Sequence, residues 1–161
     1  MSSMAESVDL LIVPRWTIPV EPPGLVLEDH AVAVHDGRIA AVRPAAHFDG
    51  ALRAARRIDL PEHVLIPGLI NLHTHAAMTL LRGYADDIPL MEWLRTRIWP
   101  AETRHVSESF VHDGTILACA EMLRGGVTCF NDMYFFPEAA ARAALEVGMR
   151  AALGIIAVEF P

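Results

Sequence analysis

Cysteine is scarce in this chain. Cys119 and Cys129 are the only two in 161 residues. That excludes a disulfide framework and fits a reducing compartment. Basic charge is scarce too, with 13 Lys and Arg against 20 Asp and Glu and a net charge of −7. Such a balance gives no hint of binding to nucleic acid or to a membrane surface. No apolar run approaches the ~18 residues that span a bilayer. Residues 1–7 lack the basic start and long apolar core of a signal peptide. What the chain has is material for a core: 53% of it is hydrophobic, an ordinary globular composition. The expectation is a soluble, cytoplasmic protein.

The first 64 or so residues read as short strands and turns. Residues 10–13 predict a brief strand closed by Pro14, and 21–24 a turn cluster. Residues 29–35 and 38–42 are β-rich runs joined by Asp36-Gly37, which predicts a hairpin with a type I′ turn. Residues 45–57, rich in Ala and Arg, predict a loop or short helix, and 58–60 another short strand. This module is all-β, with a core too small to stand without partners.

The texture changes after Pro67. Val64, Leu65, Ile66, Leu69, Ile70 and Leu72 predict a strand buried on both faces. It ends at His73-Thr74-His75. Side chains two apart on a strand point the same way. His73 and His75 therefore project together, with Thr74 turned away, and two such imidazoles can share a divalent cation. A long segment, 76–102, follows. Ser107 predicts the cap of a helix to about Arg124, with Phe110, Val111, Ile116, Leu117, Ala120 and Leu123 on its apolar side. Gly125-Gly126 stops it. Residues 127–132 predict a second strand, 138–147 a second helix begun by Pro137, and 150–158 a third strand. Strand–helix alternation means parallel strands with crossover helices. A closed barrel of eight such units takes ~250 residues. The expectation is that this chain is a piece of something larger.

The run Pro67-Gly68-Leu69-Ile70-Asn71-Leu72-His73-Thr74-His75 resembles the first-strand signature of the amidohydrolase superfamily. Its continuation, residues 76–87, then Trp93-Leu94 and Pro100-Ala101-Glu102, is similar to the branch that holds 5-methylthioadenosine/S-adenosylhomocysteine deaminases. Triazine chlorohydrolases are close relatives with a similar first strand. The resemblance runs from the Asp36-Gly37 hairpin to Gly148-Met149-Arg150 and covers about the first third of a family member.

The resemblance implies an α/β fold: a metal-dependent (β/α)8 TIM barrel, with only the first three or so β/α units present in residues 67–161. It implies a small N-terminal β-sandwich module in residues 1–66, completed by a C-terminal segment. One divalent metal ion is implied, zinc or else iron, with His73 and His75 as two of its ligands. The remaining ligands and the proton-shuttling glutamate are expected downstream of Pro161. Glu102 aligns with the glutamate that holds ribose hydroxyls, and a carboxylate accepting two hydrogen bonds from a vicinal diol is a sound match. The plainer role for Glu102 is a helix-start acid. The implied activity is hydrolytic deamination of the adenine ring of methylthioadenosine- or S-adenosylhomocysteine-type nucleosides. The alternatives are a chlorohydrolase or aminohydrolase of triazine-like heterocycles, or an inactive fragment, since a catalytic zinc takes three protein ligands plus water. The implied partners are a small nucleoside and further copies of the chain in a homo-oligomer, with no nucleic acid and no membrane.

Other residues carry weaker signals. Trp93 and Trp99 form either an apolar wall against substrate or a local cluster over the barrel mouth. Asp86 and Asp87 read as turn residues. Asn131-Asp132 ends the second strand at the active-site face, either supporting the ligands or forming a turn. Cys119 and Cys129 read as core packing. His105 and His112 read as solvated, and His30, His35, His47 and His63 carry no ligand spacing. Arg150 lies at the wrong end of its strand for a barrel site. Cytidine-deaminase-type zinc chemistry is excluded: it needs His-x-Glu and Cys-x-x-Cys, and neither occurs.

Overall fold

The computed structural model describes residues 7–50 and 52–157. The chain divides after Pro67 into two units.

The first unit is a five-stranded sheet built on β1 (Ser7–Thr17). One edge of β1 pairs antiparallel with β3 (His30–His35) and then with the two-residue β2 (Leu27–Glu28). Its other edge pairs in parallel with β5 (Arg53–Leu65). β4 (Arg38–Pro44) completes a hairpin with β3. Asp36 and Gly37 have φ of 48° and 68°, the positive pair a type I′ turn requires. The core is Val8, Leu11, Ala31, Ala33 and Phe48.

Two strands here are longer than their sequences suggest. Pro14 does not close β1. Pairing with β3 ends at Ile12 and pairing with β2 starts at Trp16, so Pro14 falls where no antiparallel neighbour needs its N–H. The register with β5 also shifts between Pro14 and Trp16. Residues 53–57, expected as loop or helix, open the 13-residue β5. Their Ala and Arg are poor strand formers; parallel pairing along β1 imposes the conformation. Val64 and Leu65 belong to this strand, not to the one that carries the histidines.

The second unit is a three-stranded parallel sheet in the order β6 (Leu69–Thr74), β7 (Val127–Met133), β8 (Arg150–Gly154). Between β6 and β7 run a 3-10 turn at Ala76–Leu81, α1 (Leu90–Trp93), a π-type turn at Leu94–Ile98, α2 (Trp99–His105) and α3 (Glu108–Arg124). α4 (Pro137–Glu146) joins β7 to β8. Val158, expected to end the last strand, lies outside the described residues.

Ser107 caps α3: its Oγ accepts from the Phe110 N–H at 3.2 Å. The buried stripe of α3 differs from expectation. It is Val111, Gly114, Thr115, Ala118 and Cys119, while Leu117 and Leu123 are exposed. Small residues won the inner face because the helix lies close against Ala77. A Cβ on Gly114 would sit 2.5 Å from the Ala77 carbonyl oxygen. β6 is not buried on both faces either. Leu69, Ile70 and Leu72 are 50%, 63% and 76% exposed. Among the described residues, β6 has β7 on one edge and no strand on the other. No helix among the described residues is long and apolar enough to cross a membrane.

Candidate metal centre and substrate cleft

β6 ends at Thr74, and His73 and His75 stand together at that end. Their ring centroids are 5.2 Å apart and the rings meet edge to face. Thr74, between them, is fastened to the neighbouring strand. Its hydroxyl proton is shared between the Asn131 carbonyl at 2.9 Å and Asp132 Oδ1 at 3.0 Å. The same Asp132 oxygen accepts the Ala76 N–H at 3.0 Å. Asp132 is 2% exposed, so a buried carboxylate clamps both sides of His75. Asn131 Nδ2 donates to the Leu72 carbonyl at 3.1 Å, and Asn71 Oδ1 accepts the His73 N–H at 3.2 Å. Asn131 and Asp132 therefore support the histidine turn rather than forming a turn of their own.

His75 Nδ1 lies 2.8 Å from the Met133 carbonyl. A carbonyl only accepts, so Nδ1 carries the proton and Nε2 keeps its lone pair free for a cation. That donor chemistry fits a divalent metal held by imidazole nitrogen.

Glu102 lies in the first turn of α2. Tyr134, just past β7, donates its hydroxyl to Glu102 Oε1 at 2.7 Å. Tyr134 is 5% exposed, and its ring lies 6.3 Å from that of His75. Burial first, and then the Glu102 carboxylate, push its phenol well above the ordinary tyrosine range, so it remains a donor at any working pH. Glu102 also lines a cleft of about 410 Å³ with Trp99, Thr103, Val106, Phe135 and Phe136. That size accommodates a small ligand.

The two tryptophans separate. Trp99 lines the cleft, whereas Trp93 Nε1 donates to the Ala85 carbonyl at 2.9 Å. Asp87 has a φ of 59°, a turn conformation. Cys119 is fully buried, which pushes its thiol up to about 11, and Cys129 is half-buried; both are free. His112 is not merely solvated: it lies 3.0 Å from Asp113 and 3.1 Å from Glu146. His35, half-buried, lies with the exposed Asp9 and Asp36. Residue-level reading missed Tyr134. The signal was its position two residues beyond Asp132, at the strand end where barrel sites form.

Residues 64–160 match the Amidohydrolase family. A 5-methylthioadenosine/S-adenosylhomocysteine deaminase of Saccharophagus degradans is 54% identical over 153 residues, 95% of this chain and 34% of its own length. One from Syntrophobacter fumaroxidans is 50% identical over 95% of this chain and 35% of its own. The crystal structure of a zinc-bound adenosine deaminase from Xanthomonas campestris superposes with a TM-score of 0.88 at 52% identity, covering 91% of this chain and 33% of that one. A zinc-complexed atrazine chlorohydrolase from Arthrobacter aurescens, at 22% identity, shares the fold with a TM-score of 0.79. The chain spans about a third of the length of these relatives. With its parallel α/β unit and its matched sequence, the chain belongs to the amidohydrolase family.

Proposed function

We propose that this chain supplies two metal ligands and a ribose-holding carboxylate to a hydrolase that deaminates adenine nucleosides of the 5-methylthioadenosine/S-adenosylhomocysteine type. Residues 1–66 form part of a β-sandwich module and residues 67–161 the opening of a (β/α)8 barrel. His73 and His75 hold a zinc ion, the metal named for the Xanthomonas relative. When bound, zinc would act as a Lewis acid and bring the pKa of a water down to about 7. His75 presents Nε2 because Met133 occupies its other nitrogen. Glu102 receives the 2′- and 3′-hydroxyls. Trp99, Phe135 and Phe136 wall the cleft and keep bulk water from it. The net reaction replaces the exocyclic amine at C6 by oxygen and releases ammonia. The enzyme acts in the cytoplasm as a homo-oligomer.

The observation that carries this reading is Glu102 in the cleft, held by Tyr134 beside the histidine pair. A diol-binding carboxylate serves a nucleoside and has no use for a triazine. The test is ammonia release by the product of the full open reading frame, loaded with zinc. The substrates are methylthioadenosine, S-adenosylhomocysteine, adenosine and a chlorotriazine. The thio-nucleosides are expected to be deaminated and His73→Ala to abolish it. Chloride release from the triazine alone would overturn the substrate class.

A further inference from the structure

We infer that Tyr134 is the positioning residue for Glu102: its hydroxyl holds the carboxylate in the one conformation that accepts a vicinal diol, and so sets ribose selectivity without touching substrate. The inference rests on the ribose-holding role proposed for Glu102.

Tyr134 is suited to the task. Its ring is buried among Ala77, Val111, Ala139 and Ala140 and stacked edge-on against Phe135, with centroids 5.3 Å apart. A tyrosine has two side-chain torsions, and here the packing fixes both. Glu102 is only half-buried and has three torsions to fix. It gains its orientation from the 2.7 Å hydrogen bond to the fixed phenol. A hydrogen bond to a charged group is among the stronger ones available. It also leaves capacity. A carboxylate offers about four acceptor sites, so one bond from Tyr134 still leaves enough for both ribose hydroxyls. The contact spans α2 and the end of β7, 32 residues apart, so no local turn accounts for it.

The rival account is that Tyr134 only fills the core. Tyr134→Phe separates the two, because it keeps the ring and removes the hydroxyl. Steady-state kinetics are measured on the zinc-loaded product of the full reading frame, with adenosine and with 2′,3′-dideoxyadenosine. Tyr134→Phe is expected to raise KM for adenosine about tenfold, with kcat within about twofold and dideoxyadenosine nearly unaffected. Glu102→Ala is expected to remove the preference for ribose, and adding Tyr134→Phe to it to cost nothing more. An equal effect of Tyr134→Phe on both substrates overturns the inference. So does no effect where Glu102→Ala has one; the role of Glu102 then survives. Loss of zinc loading in Tyr134→Phe also overturns it, in favour of a structural role. Should Glu102→Ala leave the ribose preference intact, the role of Glu102 falls and the inference with it.

Discussion

Asp132 does more for the histidine pair than any residue near the pair in sequence. One carboxylate oxygen takes both the Thr74 hydroxyl and the Ala76 N–H. Truncation to Ala leaves the buried Ala76 N–H without an acceptor, takes one of two acceptors from the Thr74 hydroxyl, and loosens the turn that aims His75. Groups that orient metal ligands are worth about 10–100-fold in metal affinity. Asp132→Ala is expected to weaken zinc binding by a factor in that range, read by competition with a chromophoric chelator. His112 supports a prediction of a different kind. Its hydrogen bonds to Asp113 and Glu146 raise its pKa above 6.5. A raised folded-state pKa stabilises fully below the unfolded value and loses that contribution as pH rises through the folded one. The melting-temperature gap between the wild type and His112→Gln should therefore be widest near pH 6 and shrink as pH rises through the raised pKa. At this scale the sequence disclosed the side-by-side placement of His73 and His75, because a period of two makes them neighbours wherever a strand forms. It could not disclose Tyr134 on Glu102, since that bond depends on where α2 and β7 end up.

Among the elements, α3 shows how small residues decide which face is buried. Leu117 and Leu123 are more hydrophobic than Gly114 and Ala118, yet they stay outside. Close approach to Ala77 selects for size over hydrophobicity. Gly114→Ala would place a methyl group into that backbone and is expected to cost about 1–3 kcal/mol, measured by urea denaturation. Ser107→Ala removes the cap and is expected to cost about 1 kcal/mol by the same measurement. The capped start, the glycine stop and the Asp36-Gly37 turn were all legible, because each acts through its own backbone. The length of β5 was not. Its strand character is borrowed from β1, through a pairing that joins residues more than 40 positions apart.

For the molecule as a whole, exposure of Leu69, Ile70 and Leu72 leaves apolar side chains uncovered along the histidine strand. Patches of that kind mark surfaces awaiting cover. The 161-residue chain produced alone is expected to self-associate with rising concentration in sedimentation velocity. Leu72→Lys should reduce that association while leaving the far-ultraviolet spectrum unchanged. The parallel architecture was readable from alternating strand and helix signals, but the exposure was not, because apolar strands read as buried whether or not a neighbour covers them. The pairing of β6 with β7 also has a consequence in time. The acceptor for His75 lies 58 residues later in the chain. At a synthesis rate of about 5–20 residues per second, the imidazoles leave the ribosome some seconds before Met133 and Asp132. During that interval the pair is untethered and the tautomer of His75 unset. Ordering of the histidine turn is thus timed by the emergence of β7 rather than by the appearance of the imidazoles themselves.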